Sequence, residues 1–168
     1  MKTDGCILVA EDDENDVFFL QRAFEQAGVN HPLHIVRDGE DAIDYLAGQG
    51  KFSSRTEYPF PTVLILDLKM PRKTGLDVLQ WLRGQEGLQC LPVIILSSSS
   101  HRNDIEKAYR LGANAFVVKP SSNATRAELA RMIKGFWLTF NEPPLVSTEG
   151  REAARQAHAA FKLPSPFF

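Results

Sequence analysis

Thr62-Val63-Leu64-Ile65-Leu66-Asp67-Leu68-Lys69-Met70-Pro71 is the stretch whose reading decides the fold. Its first half is short, rich in Val, Ile and Leu, and not alternating with polar residues. That is the pattern of a strand buried on both faces of a parallel sheet. A carboxylate, Asp67, closes it. The arrangement recurs along the chain: Cys6–Ala10 runs into Glu11-Asp12-Asp13, Val93–Leu96 into Ser97, and Ala115–Val118 into Lys119. A weaker run, Leu33–Val36, precedes Arg37-Asp38-Gly39.

Helix-period stretches lie between these runs. Val17, Leu20, Phe24 and Ala27 recur at steps of three and four, with Gly28 as the stop. Asp38 caps a helix that turns Ala42, Ile43 and Leu46 inward, and a further helix starts near Thr74 and carries Val78, Leu79 and Leu82. Ile105, Ala108 and Tyr109 mark the next, closed by Gly112. Leu129, Met132, Ile133, Phe136 and Phe140 form one stripe on the last, with Trp137 beside it. A βα unit repeated five times implies an α/β fold: a doubly wound, five-stranded parallel sheet with right-handed crossovers, flanked by five helices. Of the two common strand orders, 2-1-3-4-5 needs only five strands and is the one expected.

The bulk properties fit one domain. With 168 residues, 43% apolar and 24% charged, the chain can bury a core without disulfides or a structural metal. A net charge of -2 argues against nucleic-acid affinity and against a basic membrane patch. Cys6 and Cys90 are too few for a secreted disulfide framework, and Cys6 reads as a small buried apolar residue. No run approaches the ~20 apolar residues of a membrane span, and the N-terminus lacks a signal-peptide core. The expected location is cytoplasmic. Gln49 to Pro61 reads as a polar loop longer than usual, and residues 141–168 as a C-terminal extension to a domain spanning 1–140.

In open α/β sheets the ligand site lies at the carboxyl ends of the strands. That edge would gather Glu11, Asp12, Asp67, Ser97 and Lys119. Singly, each has an ordinary reading: helix-terminal acids, a strand-ending turn residue, a loop hydroxyl in a four-serine run, a solvated lysine. Together they suit metal-assisted phosphoryl chemistry. Clustered carboxylates repel, and a hard dication such as Mg²⁺, bound through oxygen with waters retained, relieves the repulsion. A carboxylate can act as nucleophile toward phosphorus, with the metal and an ammonium neutralising charge.

These residues resemble the receiver domain of two-component response regulators, from about Ile7 to Phe140. The family's pattern is matched by Glu11-Asp12 after the first strand, Asp67 with Lys69-Met70-Pro71 after the third, Ser97 after the fourth, and Lys119-Pro120 after the fifth. Asp38-Gly39 and Leu111-Gly112-Ala113-Asn114-Ala115 also stand in their expected places. The resemblance implies the flavodoxin-like receiver fold, with Asp67 as phosphoacceptor and a sensor histidine kinase as donor. It implies Mg²⁺ held by Asp12, Asp67 and the backbone carbonyl of Lys69, with Glu11 acting through water. Lys119 would pair with a phosphoryl oxygen, Ser97 would turn to bond another, and Phe116 would be the aromatic that rotates inward with it. Lys119-Pro120 is expected to be cis. Asp13 falls one place beyond the acidic pair and is expected to serve the helix, not the metal.

The long loop before the third strand and the Phe136-Trp137-Leu138 ending resemble the small single-domain regulators that partner phytochrome-type kinases. Such a chain is a signalling phosphoprotein and not an enzyme with an external substrate. Nothing in the sequence reads as an output domain, so output passes to a protein partner or to self-association. The aromatics of the last helix have two readings. They are core, or part of the face docks with Phe161, Phe167 and Phe168 onto a second copy. The tail's own ordinary reading is disorder.

Three rival chemistries fare worse. An aspartyl phosphohydrolase would carry a second Asp where Lys69 stands, and a substrate-covering cap. A flavin or nucleotide module would need a Gly-rich phosphate loop, which is absent. His31, His34, His101 and His158 show no zinc-ligand spacing with the cysteines.

Overall fold

The computed structural model describes residues 5–144, 151–153 and 155–156. Five strands form one parallel sheet: β1 (Cys6–Ala10), β2 (Leu33–Val36), β3 (Pro61–Leu66), β4 (Val93–Ser97) and β5 (Ala115–Val118), in the order β2-β1-β3-β4-β5. β1, β3 and β4 lie in the interior and are almost wholly buried, which is why their sequences are continuously apolar. β2 and β5 are the edges and are only half covered. Register aligns Ala10 with Leu66 across β1/β3, and Leu66 with Ile95 across β3/β4. The residues that end these strands therefore reach one edge together.

The helices are α1 (Glu14–Gln26), α2 (Gly39–Ala47), α3 (Gly75–Arg83), α4 (Arg102–Arg110) and α5 (Asn123–Met132). Their starts follow from side-chain caps. Asp13 accepts from the Asn15 and Asp16 N–H groups, Asp38 from Asp41, and Thr74 with Asp77 closes a reciprocal capping box. Each such cap is worth about 1 kcal/mol. α1 and α5 cover one face of the sheet around Ile7, Val9, Phe24 and Ile133, while α2 and α3 help cover the other around Leu8, Leu46, Leu64 and Leu79.

Among the described residues, three expectations change. α5 continues as a π-helix, Ile133–Phe140, with the Asn141 N–H donating to Phe136 O. The expected stripe is split: Ile133 is buried and Leu129 packs inward with Trp137, but Met132, still in α5, and Phe136 and Phe140, on the wider turns, are exposed. Tyr109 is likewise half exposed, and its hydroxyl accepts from the Phe116 N–H at 3.2 Å. Finally, no peptide bond is cis, so Lys119-Pro120 is trans. The trans form is ordinarily the favoured one, by about 0.5–1 kcal/mol before Pro.

The segment between α2 and β3 is less polar in effect than its composition. Phe52 and Phe60 are buried in it, and Tyr58 stacks edge-on against Tyr45 and Phe52. Arg55 pins it to the end of α2 by donating to the carbonyls of Tyr45 and Leu46, each at 2.8 Å. At the opposite end of the sheet from the strand termini, Arg83 donates to Gly112 O, Leu91 O and Asn114 Oδ1. Gly112 sits at φ +95 with the Arg83 side chain lying where a Cβ would be. Residues 151–153 are helical, and Arg151 lies 4.8 Å over the Phe60 ring. Phe161, Phe167 and Phe168 lie outside the described residues.

Candidate functional site

Asp67 leaves β3 with its N–H on Ala10 O at 3.0 Å, so the first and third strand ends are bonded to each other. Its side chain is buried, and the two carboxylate oxygens divide their partners. Oδ1 accepts from the Leu68 N–H at 2.7 Å, and Oδ2 accepts from Lys119 Nζ at 3.0 Å. Gly75, at the start of α3, packs so tightly on the Asp67 carbonyl that a Cβ there would collide with it. The loop from Leu68 to Thr74 is thereby held against the strand end.

That loop contains a strained residue. Arg72 has φ 65, and the Lys73 N–H donates to Pro71 O at 2.8 Å, closing a three-residue turn around it. Its guanidinium reaches Asp38 at 3.4 Å and Glu40 at 3.0 Å in the first turn of α2.

Lys119 is the hub. Its backbone N–H donates to Ser97 O at 2.8 Å, tying β5 to β4, and its side chain crosses to β1 and β3. Nζ is 2.6 Å from Glu11 Oε2, 2.7 Å from Asp16 Oδ2 and 3.0 Å from Asp67 Oδ2. Burial works against the charged form, but the hydrogen bonds to Asp16, Glu11 and Asp67 outweigh it and hold the lysine pKa above its ordinary value. Glu11 is 4% exposed, and burial pushes its pKa up to about 7 despite the hydrogen bond from Lys119.

One carboxylate oxygen each of Glu11, Asp12 and Asp67 lie within 4.8 Å of one another. Oxygen donors of that charge suit a hard dication, and exposed Asp12 leaves room for retained water. The residues present therefore fit Mg²⁺. Asp13 is turned to its capping role instead. Ser97 is fully buried at the end of β4, and its hydroxyl accepts from the Ser99 N–H at 3.2 Å. Ser99 Oγ in turn donates to Asp104 Oδ2 at 2.5 Å, fixing the β4–α4 loop to the first turn of α4. Phe116 pairs in register with Ile95 and is half-buried against the α3 side of the core. Lys69 is exposed in the loop after Asp67.

The strand edge thus brings together the side chains of Glu11, Asp12, Asp67 and Lys119, while Ser97 joins them through its carbonyl, which accepts from the Lys119 N–H. Asp16 was not foreseen. It lies one helical turn after Asp12 and one before Leu20, on the α1 face that turns toward the sheet. That spacing was the available signal. Asp16, Lys119 and Asp67 border a cleft of about 40 Å³ whose floor is apolar, including Val9, Ile65 and Leu129.

The model of the response regulator receiver domain matches residues 7–134. The chain belongs to this family. Among receiver relatives, Response regulator Rcp1 of Synechocystis is 30% identical over 79% of this chain and 88% of its own. The crystal structure of RPA3017, a response regulator in red light signaling of R. palustris, superposes with a TM-score of 0.80 at 38% identity, covering 84% of this chain and 99% of that one. The phosphorylated cyanobacterial phytochrome response regulator RcpA gives 0.78 at 29% identity, covering 85% and 100%. Rcp1 has also been solved in a Mn²⁺-bound form, with a TM-score of 0.75, 29% identity, and coverage of 84% of this chain and 99% of that one. Small phytochrome-associated regulators are thus among the receivers this chain is similar to. Among the described residues no helix is long and apolar enough to cross a membrane.

Proposed function

We propose that this receiver accepts a phosphoryl group from a sensor histidine kinase onto Asp67. The observation that carries the reading is the convergence on Asp67 of an ammonium and two further carboxylates drawn from two other segments of the chain. An Asp67 carboxylate oxygen forms the new P–O bond, and the donor nitrogen leaves with the electron pair of the P–N bond. With acetyl phosphate the bond broken is P–O, and acetate leaves. Bound Mg²⁺ supplies charge neutralisation for the transferring group. Asp12, Asp67 and the Lys69 carbonyl would hold it, with Glu11 through water. Lys119 donates to a phosphoryl oxygen, and the Leu68 N–H, already on Asp67 Oδ1, orients the acceptor.

The phosphorylated residue gains about -1.5 to -2 charge and three acceptor oxygens. Ser97 would release the Ser99 N–H to reach one of them, and Phe116 would move inward with it. The output is a changed α4–β5–α5 surface, read by a protein partner or a second copy. Exposed Met132, Phe136 and Phe140 supply an apolar face for self-association through the last helix. The printed descriptions of RPA3017 and RcpA favour a phytochrome-type kinase as donor. The site holds no second Asp where a hydrolase would need one; Lys69 stands there. This favours a signalling phosphoprotein over a phosphohydrolase.

Incubation with Mg²⁺ and acetyl phosphate, followed by intact-mass measurement, should add one phosphoryl group to the wild type and none to Asp67→Asn. Equal labelling of the two would remove Asp67 from the role. Light scattering before and after phosphorylation reports on self-association, and a monomer mass in both states ends that part.

A further inference from the structure

We infer that the cleft lined by Arg151, at the end of the sheet where β3 and β4 begin, binds a small carboxylate carrying one aromatic or similarly apolar ring. The inference does not rest on the reading of Asp67 as acceptor. Pro61 begins β3 and Pro92 precedes β4, whereas Asp67 and Ser97 stand at the other ends of those strands.

The cleft has a volume of about 150 Å³. A cavity of that size holds a benzene ring. Its walls are mostly apolar: Phe60 and Pro61 at the entry to β3, Pro92 at the entry to β4, and Pro143 and Pro144 after the π-helix. Proline has no N–H, so these walls offer few donors. Among the described residues, Arg151 is the one charged side chain in the lining.

Arg151 is short of an acceptor. Its Nε is shielded from water and has no hydrogen-bond partner, a state that buried polar groups ordinarily avoid. Its guanidinium lies 4.8 Å over the Phe60 ring. Stacking of that kind covers the face of the group and leaves its edge, where the N–H groups point, still wanting a partner.

The charge is uncompensated as well. Arg55 lies 5.8 Å from the same ring, and its hydrogen bonds go to the carbonyls of Tyr45, Leu46 and Tyr58. Carbonyls take its protons and leave its charge. Burial lowers the pKa of both arginines, and no carboxylate offsets it in either. An anion in the cleft therefore meets the field of two guanidiniums and, at Arg151, an edge suited to two carboxylate oxygens at once. A phosphate would lose more hydration than one guanidinium among prolines can replace. A neutral ring would fill the walls and leave Nε unbonded. A carboxylate with an apolar body satisfies both halves of the cleft.

The test is a titration of the isotope-labelled full chain with sodium benzoate at constant ionic strength, followed by backbone amide NMR signals. Those of Phe60, Thr62 and Leu91 should shift in a saturable way, and those of Asp67, Ser97 and Lys119 should stay in place. Benzyl alcohol has the ring without the charge, and inorganic phosphate the charge without the ring; each should bind about tenfold more weakly than benzoate. Arg151→Gln should weaken benzoate about tenfold, the effect of one charge-assisted hydrogen bond. Lys107→Gln, which removes an exposed charge on α4, should match the wild type. An absence of saturable shifts, shifts centred on Asp67, binding of either control compound as tight as benzoate, or unchanged affinity in Arg151→Gln each overturns the inference. So does an equal loss in Lys107→Gln, which would mean bulk charge alone. The comparison of benzoate with benzyl alcohol uses the wild type only, so it decides the matter if Arg151→Gln fails to fold. Phosphorylation of Asp67 is read separately by intact mass, and its failure leaves the benzoate result standing.

Discussion

Lys119 Nζ stands 3.0 Å from Asp67 Oδ2 across a sequence separation of 52. The pair is joined through neighbouring strands: Asp67 N–H bonds β1, and Lys119 N–H bonds β4. The sheet itself therefore sets the distance, with little left to loop flexibility. The same arrangement crowds several buried negative groups around one cation, and the consequences can be measured.

The first concerns pH and metal together. Glu11 has its pKa pushed up to about 7 by burial, above the usual carboxylate value. A group whose pKa is higher folded than unfolded gives stability that is present at low pH and lost as the pH rises through the folded value. Metal-free protein should thus lose melting temperature between about pH 5 and pH 8. Millimolar Mg²⁺ should raise the melting point most at the upper end, where the carboxylates are ionised, and Asp12→Asn should blunt that gain. Scanning calorimetry in chelator and in Mg²⁺ across this range checks it; a Mg²⁺ effect independent of pH would contradict it.

Backbone strain at Arg72 separates two small substitutions. Arg72→Gly and Arg72→Ala both lose the ion pairs to Asp38 and Glu40, but only glycine accepts φ 65 without penalty. The glycine variant should be more stable than the alanine variant by about 1 kcal/mol. Urea midpoints of the two proteins decide the matter. The reverse order would show that the turn reshapes when the side chain goes.

The two thiols should differ sharply. Cys6 is fully buried with its pKa raised by burial, and its Sγ lies 3.4 Å from Tyr45 Oη, whereas Cys90 is exposed. A thiol reagent should modify one cysteine quickly, and Cys90→Ser should abolish that fast phase. The second should react only as fast as the protein unfolds. Two fast equivalents would be inconsistent with the β1 packing.

Arg55 should matter for stability far from the chemistry. Its bonds to Tyr45 O and Leu46 O satisfy the carbonyl end of α2 and hold the segment that follows. Arg55→Met keeps most of the apolar stem but removes the donor to Leu46 O, while Tyr45 O keeps the Gly48 N–H, at a cost of about 1–2 kcal/mol. Chemical denaturation should show that loss while acetyl phosphate labelling of the folded protein stays close to wild type.

The strands and the residues that end them were legible in the sequence because they follow from periodicity, whereas the order β2-β1-β3-β4-β5 comes from choosing, of two common orders, the one that needs five strands. Runs such as Val93–Leu96 have no polar face and read as parallel strands, whose ends meet at one edge; Ala115–Val118 reads the same way although it is the half-covered edge strand β5. The caps at Asp38 and Thr74 were legible for a similar reason, being local. Asp16 escaped because its partner is 103 positions away, and a first-turn acid already has a sufficient local explanation. The exposure of Phe136 and Phe140 escaped because a 3.6-residue period does not hold where the backbone is wound more loosely. Arg55 and Arg83 escaped because their acceptors are carbonyls, which every residue offers alike.

The loosened winding between Ile133 and Phe140 makes that stretch a natural place for an indel. A π turn holds one residue more than an α turn, so deleting a single residue would retighten the coil instead of breaking it. Everything beyond would swivel about the helix axis, taking Trp137 out of its half-covered seat and giving the segment after Asn141 a new bearing. The length of these eight residues, more than their chemistry, sets how Asn141 leaves the helix.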